Sequence, residues 1–433
     1  QNTSGTATLA VGYQALYSNT TGDYNIASGY QALYSNTTGA GNVSTGYKSL
    51  YSNTTGAYNF ASGMQALYSN TTGAYNSAIG LDALYANTTG ESNIAFGGEA
   101  LYSNTTGSFN TGFGTEALRS NTTGGYNVGI GMRSLYSNTT GLANSAIGTN
   151  ALYSNTTGNY NNATGYAALN SNTTGSSNSA NGHYALRNNT TGSFNSAFGS
   201  SALYANTTGS YNFAAGRVAL GANTTGELNS AIGDEALYSN TTGGRNVAIG
   251  PESTRSNTSG SYNSAIGFQS LYSNVTGSYN FALGHKAGYF ETGSNKLYIA
   301  NSGVASGTLI FGDFSTGDLQ LGQSGGVVTA NNDLYVKGNI YYSGSLINSA
   351  PGDTGEQPTF SGGLSGLVPI NSGVGSGQLA GNYVSLKKDC GDEACAKDKG
   401  EARLSSRETT SKLKAHDERI AKNDTRIANN KAS

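Results

Sequence analysis

Apolar and polar residues alternate over a short stretch that recurs along most of the chain. In the segment 246–249, Val247 and Ile249 share one side of an extended backbone, and Asn246 and Ala248 share the other. The same stretch returns every seventeen residues, and an Asn-Thr-Thr-Gly sequence lies between most successive copies. A period of two inside a period of seventeen predicts short β-strands joined by turns.

The repeating unit opens on a glycine, and its first complete copy runs from Gly12 to Ser28 as GYQALYSNTTGDYNIAS. A glycine recurs at every seventeenth residue up to Gly284, which gives sixteen complete copies without insertion or deletion. Numbered from this glycine, position 5 is Leu in fifteen copies, and positions 8 and 14 are Asn in all sixteen. Position 11 is Gly throughout, and position 16 is Ala, Ser or Gly.

Seventeen residues are too few for a helical hairpin repeat, which needs about 33. We therefore predict an all-β fold, a parallel β-solenoid or β-roll in which each copy forms one coil of two short strands and two turns. The second strand is assigned to ALYS at positions 4–7. The turn is assigned to Asn19, Thr20, Thr21 and Gly22, with the glycine at positive φ. Stacking at about 4.8 Å then predicts a rod about 75–80 Å long.

Two sets of side chains are predicted to act between coils or between chains. The Asn at position 14 is predicted to form an internal ladder of amides, as at Asn25, Asn42, Asn59 and Asn76. A stripe of apolar side chains favours burial against another copy of the chain, because large apolar stripes are seldom left in water. Members of this stripe include Ile79, Phe96, Ile147, Phe198, Ile249 and Leu283.

The regular period ends after Gly284, and the composition then changes twice. Residues 1–293 are predicted to be the repeat head and residues 294–342 a β-rich neck, followed by a Gly/Ser/Pro-rich connector at 343–381. The neck strands are predicted at Lys296–Ala300, Thr308–Phe311, Asp318–Leu321 and Asp333–Tyr342.

Residues 382–433 form a charged segment that we predict to be a helical stalk. Leu413, Ile420 and Ile427 are seven residues apart, and His416, Asn423 and Asn430 each follow three residues later. This heptad predicts a short coiled coil, and a solvated amphipathic helix is the alternative.

Composition narrows the classes of function. The chain of 433 residues has only 11% charged residues and a net charge of -2, which argues against binding to nucleic acid. It has no apolar run long enough for a transmembrane helix. Its two cysteines, Cys390 and Cys395, suit a local or interchain disulfide rather than a disulfide scaffold. Residues 2–5 match the turn phase of the unit, so we expect a processed or truncated N-terminus.

Candidate chemistry is sparse. His183, His285 and His416 are scattered and no nucleophile motif accompanies them, so we predict no enzyme, no cofactor and no metal site. Position 8 opens a glycosylation sequon in every copy, as at Asn19, Asn36 and Asn53. The alternative is that these residues serve turn geometry and stacking. The tyrosine row at position 6 suits either contact with a carbohydrate or surface, or stacking within the rod.

Two families share features with this sequence. The NSAIG segments at Asn144–Gly148, Asn229–Gly233 and Asn263–Gly267 resemble the YadA-like heads of trimeric autotransporter adhesins. The segment 420–430 is similar to the stalks of that family, in which Asn at a core position holds an anion on the trimer axis, here Asn423 and Asn430. The resemblance implies a homotrimer with left-handed parallel β-roll heads, displayed on a bacterial outer membrane and binding host or abiotic surfaces.

The segments GSNKLYIANS and LIFGDFSTG also resemble the shafts of phage tail fibres that end in a self-cleaving chaperone domain. We therefore expect an extracellular structural fibre or surface adhesin that attaches multivalently. A phage tail-fibre shaft on a virion, or a subunit of a self-assembling filament, is the alternative. Expected partners are further copies of the chain and a host-cell or abiotic surface that includes glycans. A membrane is expected to be a partner only through an anchor outside this sequence.

Overall fold

The structure is a computed structural model that describes residues 4–303 and 308–321, and this part of the chain is all-β without a helix. Each coil contributes one strand of three residues, at positions 15–17. Every strand pairs in parallel with the strand one coil away, so that Ala10 lies opposite Ala27 and Ala27 opposite Ser44. The predicted parallel β-solenoid of seventeen-residue coils is confirmed.

Seventeen strands of three residues follow one another in the stack. They are β1 (Leu9–Val11), β2 (Ile26–Ser28), β3 (Val43–Thr45), β4 (Phe60–Ser62), β5 (Ser77–Ile79), β6 (Ile94–Phe96), β7 (Thr111–Phe113), β8 (Val128–Ile130), β9 (Ser145–Ile147), β10 (Asn162–Thr164), β11 (Ser179–Asn181), β12 (Ser196–Phe198), β13 (Phe213–Ala215), β14 (Ser230–Ile232), β15 (Val247–Ile249), β16 (Ser264–Ile266) and β17 (Phe281–Leu283).

The prediction of a second strand at ALYS is wrong, because these residues form consecutive turns. Gln14 at position 3 and Leu16 at position 5 both have φ of 52°, in the left-handed region that interrupts an extended strand. The turns are still hydrogen-bonded between coils, since Leu16 N donates to Ala32 O at 3.0 Å and Ser18 N to Tyr34 O at 3.0 Å. Each coil is therefore one strand closed by a hydrogen-bonded series of turns.

The core is a single column along the stack. Leucines at position 5 and alanines at position 16 fill it, and Leu33 and Ala27 are fully buried. Position 4 faces position 16 across this narrow interior, as shown by the 2.5 Å between the hydroxyl oxygens of Ser44 and Ser49. Only small residues fit at these two positions because the turn segment lies directly against the strand.

The glycine at position 11 has a different role from the one predicted. Gly39 at position 11 does not have positive φ, so the prediction for Gly22 and its equivalents is wrong. A Cβ on Gly39 would lie 2.3 Å from the carbonyl oxygen of Gly56, which excludes any other residue. The positive φ belongs to position 1, where Gly46 has φ of 138° and also lies against the next coil.

Three further strands follow the repeats, and we call them the meander: β18 (Lys296–Ala300), β19 (Thr308–Asp313) and β20 (Asp318–Leu321). β18 continues the solenoid sheet in parallel with β17, which places Tyr298 opposite Ala282. β19 and β20 then pair antiparallel. β19 ends two residues later than predicted. The predicted strand 333–342, the connector and the stalk lie outside the described residues.

Candidate functional site

An amide ladder runs through the interior at position 14. Asn42 Nδ2 donates to the Gly56 carbonyl at 2.9 Å, and the Asn42 backbone N donates to Asn25 Oδ1 at 2.9 Å. Asn59 and Asn76 repeat these contacts one and two coils further on, and all four asparagines are buried. The four residues predicted as a ladder are therefore bonded coil to coil.

A second ladder, which sequence reasoning missed, lies at position 8 in the predicted turn. Asn36 Nδ2 donates to Asn19 Oδ1 at 2.8 Å and to the Gly39 carbonyl at 2.9 Å. Thr20 Oγ1 donates to the Thr37 carbonyl at 2.9 Å, whereas Thr21 is exposed. The signal for this ladder was present in the sequence, because position 8 is Asn in all sixteen copies, as position 14 is.

Glycosylation at position 8 is incompatible with this fold. Asn19, Asn36 and Asn53 are fully buried, and each side-chain nitrogen that a glycan would modify donates a hydrogen bond. Attachment of a sugar would displace a ladder amide from the interior and leave its acceptors unsatisfied. These asparagines therefore serve the stack, which was the alternative reading of the sequons.

The outward face of the sheet is uncharged and mostly apolar. Positions 15 and 17 flank the buried position 16, and neither carries a charged residue in any of the sixteen copies. Phe96 and Phe113 at position 17 are 43% and 50% exposed and stack with ring centroids 4.7 Å apart. The stripe predicted to meet another chain lies at position 17: Ile79, Phe96, Ile147, Phe198, Ile249 and Leu283.

A second outward column, at position 13, is mostly aromatic. Tyr24 and Tyr160 are among its most exposed rings, each 67% exposed. Neighbouring rings stack where consecutive copies are both aromatic, as for Tyr58 and Tyr75 with centroids 5.3 Å apart. The rod therefore presents parallel rows of apolar side chains that repeat at about the spacing of one coil.

The tyrosine row at position 6 is a stack of rings. From Tyr17 to Tyr102 the centroids are 5.2 Å apart and the planes differ by 4–8°. Each inner ring has a neighbour on both faces, so a sugar ring cannot lie flat on this row, as it would on an isolated aromatic side chain. The row stabilises the rod and offers an external partner only the outer edges of its rings.

Arginines replace tyrosine at three points of this row. Arg119 lies 5.2 Å from the Tyr102 ring and 5.9 Å from the Tyr136 ring, and its Nε is 2.6 Å from Glu99 Oε2. Arg255 lies in the same way against Tyr238 and Tyr272 and pairs with Glu235 at 2.6 Å. A guanidinium thus continues the ring stack while a carboxylate from position 3 of the preceding coil neutralises it.

Titratable groups on the repeats respond to these neighbours. The hydrogen bond to Glu99 raises the pKa of Arg119, and the hydrogen bond to Glu235 raises that of Arg255. Asp82 precedes Glu99 in the column at position 3, and burial, followed by the charge of Glu99, raises the pKa of Asp82.

The meander is held by ionised groups. Lys296 pairs with Asp313, and this bond together with bonds from Ser315 lowers the pKa of Asp313 to about 2. Burial, followed by the hydrogen bond that Tyr298 donates to Glu291, raises the pKa of the Tyr298 phenol. The last coil is therefore followed by side-chain pairs that join β18 to β19 and to Glu291.

Other predicted site residues are apart from one another or lie outside the described residues. His183 and His285 lie in different coils, and within residues 4–303 and 308–321 no group of three or more His, Cys, Asp or Glu could hold a metal ion. The same part of the chain contains no helix that could cross a membrane. Cys390, Cys395, His416, Asn423 and Asn430 lie outside it.

Comparison of the chain with protein-family models, with curated proteins and with solved structures finds no match. The resemblances to trimeric adhesins and to tail-fibre shafts therefore stay predictions. The described residues themselves establish a solenoid whose coils direct side chains outward at the same positions of the unit.

Proposed function

We propose that this chain is the stiff repeat rod of an extracellular fibre or surface adhesin, which attaches multivalently to cells or to abiotic surfaces. The observation that carries the proposal is the outward row at position 13, in which ten of the sixteen copies carry an aromatic side chain. Many weak contacts of one kind act together when a rigid body holds them in a row. A unique pocket is not needed for such attachment.

The proposal includes assembly of three copies through positions 15 and 17, followed by a neck and a coiled-coil stalk. The absence of charge at these two positions supports it, because a buried face tolerates apolar groups better than unpaired charges. Two aromatic rings of one copy stacking against those of another would bury the surface that Phe96 and Phe113 now expose. Sedimentation of the full chain tests this assembly, with a trimer expected and a monomer contradicting it.

The attachment is tested by shortening the rod. Deletion of residues 46–113 removes four whole coils and joins Thr45 to Gly114, which preserves the period. The full chain and this shorter chain are compared for retention on polystyrene, on glass and on fixed epithelial cells. Retention is expected to fall more steeply than the number of coils, because the contacts act together. Equal retention of the two chains, or none by either, would contradict multivalent attachment by the rod.

A phage tail-fibre shaft is the second candidate. It is favoured by the meander, because residues 296–321 form three consecutive strands in the segment that carries this resemblance. A shaft transmits contact from its tip, so its sides need not adhere. The shortened chain is tested on a surface that the chain binds only through its end. Full retention there would favour this second candidate.

A further inference from the structure

Three arginines stand in the ring stack at position 6, and one of them has no carboxylate partner. Arg119 and Arg255 each pair through Nε with a glutamate at position 3 of the preceding coil, at 2.6 Å. The third is Arg187, and the residue at position 3 of its preceding coil is Ala167. The side chain that neutralises the other two arginines is therefore absent here.

The guanidinium of Arg187 is held in place without being neutralised. Nη1 is 3.1 Å from the Tyr204 hydroxyl, and the group lies 5.2 Å from the Tyr184 ring and 5.8 Å from the Tyr204 ring. Its Nε is buried and has no hydrogen-bond partner. An N–H in that state is unfavourable, and an anionic acceptor would relieve it through a charge-assisted hydrogen bond.

Tyr184 stands where a second carboxylate stands beside Arg119. In the coil of Arg119 this place, position 3 of its own coil, is held by Glu116, whose Oε1 is 3.9 Å from the Arg119 Nε. The Tyr184 ring lies against the Arg187 guanidinium and also meets the His183 ring with centroids 3.9 Å apart.

An exposed imidazole and two tyrosines lie around this guanidinium. His183 is exposed at position 2, meets the Tyr184 ring and stacks on Tyr166 with centroids 5.4 Å apart. We call these residues the polar belt: His183, Tyr184, Arg187 and Tyr204.

We propose that the polar belt binds an acidic saccharide, with a carboxylate or sulfate group of the sugar paired to Arg187. The Tyr184 and Tyr204 hydroxyls of the belt both donate and accept hydrogen bonds, as the hydroxyls of a sugar do. A guanidinium matches a carboxylate or sulfate through two of its N–H groups. The inference rests on the proposed function, because it gives an attaching rod a specific ligand at one level.

The test uses the full chain and three probes: oligogalacturonate, which carries carboxylates, short dextran sulfate, and neutral dextran. Either anionic probe, or both, is expected to bind at physiological salt, and neutral dextran is expected not to bind. The arm that binds identifies the anionic group. R187Q is expected to weaken binding about tenfold, the loss typical of one charge-assisted hydrogen bond.

Two further variants separate the site from general charge. R245Q removes one positive charge from an exposed arginine at position 13, away from the belt, and is expected to bind as the parent chain does. A167E places a carboxylate where Glu99 and Glu235 stand for the other arginines, so it is expected to weaken probe binding as R187Q does. The thermal midpoint of A167E is expected not to fall. The loss of probe binding can then be assigned to pairing of Arg187 with the introduced carboxylate and not to misfolding of the rod.

The inference is overturned if R187Q binds the probes as tightly as the parent chain, if R245Q loses as much as R187Q, or if neither anionic probe binds. Each of these outcomes would leave the coil-number dependence of surface retention unchanged. A failure of the proposed function is seen separately, as equal retention of the full and shortened chains without substitution of Arg187.

Discussion

The sixteen coils and the meander are built on one continuous sheet, yet they use opposite chemistry. In the coils every strand is parallel and in register, so each side chain meets a residue at the same position of the next copy. In the meander the strands turn antiparallel and unlike residues meet, which lets Lys296 pair with Asp313. Stacking of like on like penalises charge, because equal charges would then lie about one coil apart.

Asparagine suits the coils because its side chain both donates and accepts. Asn42 gives its Nδ2 hydrogens to the Gly56 carbonyl and to Asn25 Oδ1, and its own Oδ1 accepts from Asn59 of the next copy. Aspartate in the same place would repel the aspartates of the neighbouring copies. It would also have no N–H to donate to the carbonyl that the asparagine bonds. Some of the charges that the coils carry, as at Arg119, are neutralised by an opposite charge from another position. The buried residues of the coils include no titrating group, whereas the meander contains the pair Lys296–Asp313.

The largest difference between the two regions is expected at their glycines. Gly148→Ala would force a residue with φ of 133° to carry a Cβ 2.6 Å from the Gly165 carbonyl oxygen. We expect a loss of about 4 kcal/mol, from backbone strain and overlap together. Gly317→Ala in the meander has φ of 80° but no neighbour within 4 Å, so about 1 kcal/mol is expected.

Chemical unfolding followed by circular dichroism measures both glycine variants. Gly98→Ala is the matched control within the coils, because its Cβ would meet nothing within 4 Å and its φ is not positive. It is expected to keep or slightly raise stability. Equal losses for Gly148→Ala and Gly317→Ala would show that contact between coils does not set the requirement for glycine.

The next largest effect is expected in the ladder. Asn161→Leu removes the acceptor for the Asn178 backbone N–H at 3.0 Å and the donor to the Gly175 carbonyl at 2.8 Å. The buried N–H left without a partner, with the lost bonds, is expected to cost about 3 kcal/mol. Asn162→Leu is the same change one residue later on the exposed face, where an effect within about 0.5 kcal/mol is expected.

Hydrogen exchange locates the damage in the ladder variant. Because each coil contacts only its neighbours, protection is expected to fall around β9 to β11 and to persist in distant coils. A uniform loss of protection along the rod, or similar losses in Asn161→Leu and Asn162→Leu, would contradict the ladder as the source of stability.

The smallest effect is expected from acid, and it should appear only in the meander. The folded pKa of Asp313, about 2, lies below the ordinary value near 3.9. Its carboxylate therefore stabilises the fold above about pH 4, and this stabilisation is lost as the pH falls toward 2. Protection factors of the β18–β20 amides, which remove the intrinsic pH dependence of exchange, should fall over that window in the parent chain and not change with pH in Asp313→Asn. Opening of the coils at a higher pH than the meander would contradict this contrast between the two regions.

Part of this architecture follows from residue types, and part does not. Alternation around Val247 and Ile249 predicts the strand at positions 15–17 because burial on one face imposes a period of two. The turns at ALYS are not predictable in this way, since Leu16 adopts a left-handed φ that its residue type disfavours by about 1–2 kcal/mol. Contacts from the neighbouring coils hold it there.

The site shows the same division. Asn at position 8 and Asn at position 14 are equally regular, yet the sequence cannot say that Asn19 is as buried as Asn25. The apolar rows were visible as a stripe at position 17, because residue type alone shows which copies are apolar. The unpaired Nε of Arg187 was not visible in the sequence. It is recognised only by comparison with Arg119, whose partner Glu99 is twenty residues away and comes into contact only when coils stack.

Rod length after deletion of whole coils tests the stack of seventeen-residue coils most directly. Electron microscopy is used to compare the full chain with the variant lacking residues 46–113 and with a variant lacking residues 46–105, which breaks the period. The first deletion is expected to shorten the rod by about 19 Å, four strand spacings, with its thermal midpoint nearly unchanged, and the second to disrupt the stack. An unchanged length, or equal tolerance of both deletions, would contradict the in-register solenoid.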